Sequence, residues 1–230
     1  MGCDIHAAIE YKDEKGWHAL MHDNKRFGKF GDEDKQTARL NLNRDYDLFA
    51  VLANVRNGRG FAGCLTSTAF DSISDQRGLP EDITTEAQES CWGDHSDTWV
   101  SLAGILAFDW TRSTTHYGVV SAREFEQWDR MKEWEPAPRS YCGDVTGGQT
   151  KKISPTKMRS HIKETVGELR GAAYQEALEK LDPNLYTQIS WEETYTYSTR
   201  QMWEKILPPM LKLGSQYGPD NVRLVMNFDS

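Results

Sequence analysis

The chain has 230 residues and a net charge of −8, with 27 Lys and Arg against 35 Asp and Glu. The cations are scattered rather than gathered into a basic stripe, which argues against a duplex nucleic-acid partner, and no apolar run approaches the ~18 residues of a membrane helix. Hydrophobic residues reach only 38%, but eight Trp, nine Tyr and eight Phe offset this because each buries a large area, so the totals fit one globular domain over 1–230 with long loops.

The first segment alternates. Cys3, Ile5, Ala7, Ile9 and Tyr11 point one way and Asp4, His6, Ala8 and Glu10 the other, the period-two pattern of a strand with one face on the core. Lys12–Gly16 reads as a turn and Trp17–Met21 as a returning strand, making a hairpin. Residues 22–43 are charged and read as a loop. Asp45–Val55 has helical spacing at Leu48, Phe49, Leu52, Ala53 and Val55, and Asn57-Gly58 ends it in a glycine-rich loop through Gly60 and Gly63. That loop matches Gly-x-Gly-x-x-Gly, but it follows a helix rather than a strand, so the dinucleotide-binding context is missing.

Arg77–Pro80 is a further loop, and Thr84 or Thr85 caps a short helix to Ser90. Gly93–Asp97 is a polar turn, after which Asp97 or Thr98 is predicted to cap a helix through Trp110. Residues 111–150 resist reading apart from a helix Ala122–Glu133 capped by Ser121. Ser154–Lys180 is polar and helix-prone, broken near Gly167 and Gly171. Gln188–Tyr195 alternates as a strand, Ser198 caps a helix through Leu213 ended by Gly214, and Asn221–Phe228 is a final strand. The pattern predicts an α+β fold: a mixed or mainly antiparallel sheet of about four to five strands with several helices and long loops.

Cys3, Cys64, Cys91 and Cys142 are widely separated and form no Cys-x-x-Cys pair, which excludes a zinc ribbon and fits free thiols in a reducing, cytoplasmic setting. Charge already at Asp4 speaks against a signal peptide, and His6 in place of Ser or Thr against myristoylation at Gly2.

Asp4-x-His6 is the first candidate site. Residues two apart on a strand share a face at roughly 7 Å, so a carboxylate and an imidazole can converge on one cation or substrate atom, and Glu10 continues that face. Asp4, His6 and Glu10 are therefore candidate ligands for a divalent metal such as Zn, Mn or Mg. Metallophosphoesterases carry a similar Asp-x-His, but their residue order and later blocks are missing here. The plainer reading is a satisfied polar pair on the solvent side of an edge strand. His95 and Ser96 form a second candidate in a polar turn, as acid/base or anion contact, beside an ordinary capping role. Arg44, Tyr46, Arg56 and Arg77 are candidate ligand-binding residues because Arg grips phosphate or carboxylate with two bonds, against surface ion pairing as the plain alternative. Trp99 could stack on a base, although it and Trp92, Trp110, Trp191 and Tyr195 are core by default. Asp229, at the end of the last strand, ranks below these.

The segments GCDIH, RDYDLFAVLANVRNG, RGLPED, DHSDTW and VRLVMNFDS, in that order, resemble a group of mostly uncharacterised phage and bacterial proteins that open with GCDIH. The resemblance covers both ends and roughly the first half. It implies a phage-type accessory protein working in the host cytoplasm, a class in which some members blunt host defence by binding or cleaving nucleotide signals.

Three functions remain open from the sequence. One is a pocket for a small, anionic, nucleotide-like ligand. Another is a metal-dependent phosphodiesterase with Asp4, His6 and His95 as catalytic residues. The third is a structural or protein-interaction module. A homo-oligomer is compatible with each.

Overall fold

The computed structural model describes residues 2–23 and 36–229. In chain order the elements are β1 (Asp4–Asp13), β2 (Gly16–Ala19), β3 (His22–Asp23), β4 (Gln36–Thr37), α1 (Tyr46–Ala53), α2 (Thr85–Ser90), β5 (His95–Ser101) and α3 (Leu102–Ala107). Then come β6 (Ser113–Ser121), α4 (Ala122–Met131), β7 (Lys151–Lys152), α5 (Pro155–Thr165), α6 (Gly171–Glu179) and β8 (Leu185–Thr194). The chain closes with α7 (Tyr195–Ser198), a π-helical turn Met202–Ile206, α8 (Leu207–Tyr217) and β9 (Val222–Asp229). The fold is α+β with mainly antiparallel sheets, as the alternation of periods in the sequence implies. Most of the predicted 22–43 loop, residues 24–35, lies outside the described residues; its flanks pair as β3 and β4.

Tertiary contacts divide the chain into two compact units. The first combines Met1–Gly58, Ala69–Arg112 and Tyr195–Ser230 around a four-stranded sheet of order β2-β1-β9-β5, antiparallel throughout. β1 and β9 pair from Asp4↔Asp229 to Tyr11↔Val222. Cys3, Ile5, Ala7 and Ile9 join Leu224, Met226 and Phe228 in one core with α1 and α8, as the alternation predicts. Asp45 caps α1 by accepting the Leu48 N–H, and Asn54 closes it in the left-handed conformation. The other face is also covered: Ala8 and Val225 pack with Ala38, Ala87 and Cys91, small side chains that let α2 lie close. β1 is thus an interior strand buried on both faces, not an edge strand with a wet side.

Three predicted elements change in this unit. His95–Ser101 is a strand rather than a helix start, and Ser101 caps the short α3 by accepting the Gly104 N–H. The helical spacing of Leu102, Ile105 and Leu106 belongs to α3 alone; Thr98 and Val100 are buried at period two, which is the strand signal. Tyr195 begins α7 instead of ending a strand, and Ser198 is its last residue, not a cap. Finally, α8 runs past Gly214 to Tyr217 and stops at Gly218, whose φ is 89°. Gly214 lies inside the helix, facing the Leu102 side chain.

The second unit combines Arg59–Thr68 with Ser113–Thr194. β6 and β8 pair antiparallel from Ser113↔Thr194 to Ser121↔Tyr186, and β7 joins β8 in parallel. β6 was hidden in the sequence because its buried positions are Thr114, His116 and Gly118 as well as Val120. Ser121 caps α4, as its position predicts, and Ser154 caps α5. The predicted breaks in the 154–180 stretch fall at Gly167 (φ 53°) and Gly171 (φ 60°), between α5 and α6. Phe125, Trp128, Met158, Ile162, Leu178 and Trp191 fill this unit's core.

Candidate functional site

The polar face of β1 does not act as one cluster. It splits into two arrangements at opposite ends of the strand, about 20 Å apart at ~3.3 Å per residue.

At the far end Glu10 is fully buried and lies directly opposite Arg223. Arg223 Nε donates to Glu10 Oε2 at 2.7 Å, and the Thr84 N–H donates to Oε1 at 2.7 Å. Arg223 also donates to the Asp82 carboxylate at 2.7 Å and lies 3.7 Å from the centre of the Trp17 ring. A buried charge needs a partner of this kind, so Glu10 serves the fold and does not join Asp4 and His6. Arg77 is likewise engaged nearby: its guanidinium donates to the Trp99 carbonyl and stacks 4.0 Å over the Trp99 ring.

At the near end a single carboxylate organises the rim. Asp229 accepts the Asp4 N–H at 2.9 Å on one oxygen and lies 3.1 Å from His6 Nε2 with the other. The Asp4 carboxylate is gripped by Arg44, Nε to Oδ1 at 2.6 Å and Nη2 to Oδ2 at 3.0 Å. Arg44 holds the Asp4 carboxyl below the usual carboxylate range, with His6 and Arg39 adding smaller pulls the same way. A Cβ at Gly2 would collide with the Arg44 guanidinium, so a side chain there would displace the guanidinium from this position. Tyr46 accepts the Cys3 N–H at 3.3 Å through its hydroxyl, and Arg56, itself in the left-handed region at φ 55°, lies 5.8 Å from the Tyr46 ring. Burial pushes the Cys3 thiol up, opposed by a hydrogen bond from Arg56.

His6 is 1% exposed. The other ring nitrogen, Nδ1, is buried without a hydrogen-bond partner. Against the His6 ring, 4.0 Å between centroids, lies Trp92, which is 59% exposed. Trp92 was read as core by default; instead it is an open aromatic surface. Its outer neighbour is Arg39, 5.1 Å from the ring centre. Both border a cleft of about 280 Å³ also lined by Met21, Gln36, Thr37 and Glu86.

The turn that carries Trp92 is held by one buried side chain. Asn227 accepts the Gly93 N–H at 3.0 Å and donates to the carbonyls of Cys91 at 3.0 Å and Gly93 at 3.1 Å. The backbone is therefore fixed on both sides of Trp92. A Cβ at Gly93 would strike the Phe228 carbonyl, so close approach requires glycine there.

His95 lies elsewhere. It pairs with Phe228, on the opposite side of the sheet from His6, and its ring stacks on Phe228 at 6.2 Å. Its Nδ1 lies 2.8 Å from the Ser96 hydroxyl, and Ser96 sits at φ 59° where the β5 register shifts. The anion-binding helix N-terminus expected at this turn is absent, because the turn opens a strand.

No protein-family model matches the chain, and no curated protein or solved structure matches it.

The chemistry on offer is therefore that of the residues themselves. The structure brings Asp4, His6, Arg44 and Asp229 together, sets Tyr46 and Arg56 beside Cys3, and leaves Glu10, Arg77, Trp99, His95 and Ser96 in other settings. Among the described residues no three His, Cys, Asp or Glu side chains gather as a metal-ion group. Sequence reasoning missed Arg39 and Asn227. Asn227 had one available signal, a lone amide in an apolar strand; Arg39 had none, because its place beside Trp92 depends on the bridge Ala8↔Arg39.

Proposed function

We propose that the chain binds a small anionic, nucleotide-like ligand at the cleft formed by Trp92 and Arg39, next to the Asp4–His6–Asp229 rim. The observation that carries this reading is the pairing of a solvent-facing indole with a guanidinium at the mouth of a cleft of about 280 Å³. An indole face stacks on any base, worth ~1–3 kcal/mol per base, and a guanidinium suits phosphate. Holding rather than cleaving is favoured because the Asp4 and Glu10 carboxylates are each tied to an arginine. In a phage-type accessory role, such binding would withdraw a nucleotide signal.

A second reading, a hydrolase, is favoured by one observation: Asp229 orients His6, whose Nδ1 has no hydrogen-bond partner. A carboxylate-oriented imidazole is one component of a general base.

Calorimetry with a panel of cyclic mononucleotides, cyclic dinucleotides and ADP-ribose-type compounds, followed by chromatography of the recovered ligand, tests both. Binding with intact ligand, lost roughly 5- to 150-fold in Trp92→Ala in line with a single stacking contact, is the expected result. A converted product would replace binding by hydrolysis. Absence of heat across the panel, or full affinity in Trp92→Ala, would overturn the site.

A further inference from the structure

The second unit holds a feature independent of the ligand site. The outer edge of β6 is bordered by two separate stretches of chain. Ser67 bridges His116, the Tyr117 N–H donates to the Thr66 carbonyl at 2.8 Å, and Cys142 exchanges two backbone hydrogen bonds with Val119 at 2.8 and 3.1 Å. Following the antiparallel register, the stretch through Thr66 and Ser67 heads for Val119 as it reaches Cys64. Val119 is the residue that Cys142 occupies.

The two stretches do meet. A Cβ built on Gly143 would lie 2.9 Å from Cys64 Cβ and 3.7 Å from its Sγ. Cys64 is thus packed on the residue next to Cys142, one Cα step of ~3.8 Å away. Cys142 is exposed, Cys64 is half-buried, and both are free. Disulfides form at Cα separations of about 4.4–6.8 Å, and the Cys142 thiol lies near enough to Cys64 for the second thiol to weigh on its ionisation. Cys3 and Cys91 are buried, and burial pushes the Cys91 thiol up to about 12.

We propose that Cys64 and Cys142 are a disulfide-forming pair, oxidised by low-molecular-weight disulfides of the glutathione class, that fastens the Gly60–Cys64 turn to the segment beside β6. The Cys142 thiolate attacks one sulfur of the oxidised glutathione and releases a glutathione thiolate. Cys64, its proton lost to solvent, then attacks the Cys142 sulfur and expels the second glutathione. Two protein thiols are oxidised and one glutathione disulfide is reduced to two thiols. Burial and the neighbouring Asp144 raise the Cys142 thiol above its usual value, with Lys152 opposing; exchange is therefore faster in mildly alkaline buffer.

The test is incubation of the full chain with oxidised glutathione, then intact-mass measurement and peptide mapping. The expected product has lost two hydrogens and carries a Cys64–Cys142 cross-link within one chain. Cys64→Ser is expected to stop at a glutathione adduct on Cys142, and Cys142→Ser to form no link. Gly143→Ala, which pushes Cys64 outward, is expected to slow closure several-fold while leaving the adduct step intact. A lasting Cys142 adduct in the unaltered chain, links only between chains, or a link to Cys3 or Cys91 would each overturn the proposal.

Discussion

Asn227 and Gly93 hold each other through both backbone groups of the glycine: the amide oxygen of Asn227 takes the Gly93 N–H at 3.0 Å, and its amide nitrogen donates to the Gly93 carbonyl at 3.1 Å. The same nitrogen reaches Cys91, so Trp92 rides on a clamped turn. Removing the amide leaves buried backbone groups unmatched, at about 1–3 kcal/mol. Asn227→Ala is therefore expected to lose about 2–3 kcal/mol in urea unfolding and to make Trp92 more accessible to a fluorescence quencher. Unchanged quenching relative to the parent would show that the turn is held by something else.

The buried Glu10–Arg223 pair predicts an asymmetric mutational response. Glu10→Ala leaves an almost wholly buried guanidinium with Asp82 as its remaining carboxylate partner, and breaking a buried pair costs up to about 3–5 kcal/mol. Exchanging both residues for Met restores packing without charge and is expected to recover most of that loss. Denaturant titration of the single and double variants checks this; equal losses in both would mean that the ionic bond itself is what stabilises the sheet.

Asp4 gives a local pH signature. Its carboxyl is held low mainly by Arg44, so the pair contributes above the unfolded carboxyl range near ~3.9 and loses its effect as pH falls through the folded value. Both side chains are about half exposed, which limits the stability effect to at most about 1 kcal/mol. The clearer readout is the carboxyl titration by NMR. Arg44→Gln and Gly2→Ala should both move Asp4 up toward ~3.9, the second because a methyl at Gly2 displaces the guanidinium. A midpoint that stays put in both variants would sink the assignment.

His116 in the second unit titrates in the other sense. Burial drives it down to about 4, and the nearby Glu192 only partly opposes this. Its ring lies against Trp191, and Glu193 is 3.6 Å away, beyond good hydrogen-bond range. The folded form therefore keeps a neutral imidazole, while the unfolded chain takes up a proton near ~6.5. Stability is full above that value and falls as pH drops from ~6.5 to ~4, by roughly 3 kcal/mol at ~1.4 kcal/mol per unit. Imidazole signals of His116 that remain in the neutral form down to about pH 5 would agree; a midpoint near ~6.5 would not.

How much of this was legible in the residues varied with distance along the chain. β1, β9 and α1 announced themselves because their apolar periods are local, and the predicted caps at Thr84 and Ser121 lie beside the helices they start. β5 was misread because the helical spacing of α3 ran back into it through Trp99. β6 was missed because polar Thr114 and His116 occupy core positions and win burial through tertiary packing. For the site, Asp4 and His6 were visible as a same-face pair, yet the carboxylate that joins them is Asp229, more than two hundred residues on. Glu10 could not be sorted from them by pattern, since only Arg223 reveals its role.

β9 is one of the two inner strands of its four-stranded sheet, zipped to β1 on one side and β5 on the other. In order of synthesis it emerges last of the three. For most of translation, then, β1 and β5 wait with unfilled backbone edges and a bare apolar face, a slot shaped for a strand that does not yet exist. Closing contacts so far apart in sequence is slow, and open edges accept strands from other chains. A ribosome stalled before residue 222, or a chain cut there, would leave a molecule primed to borrow its missing strand from a neighbour.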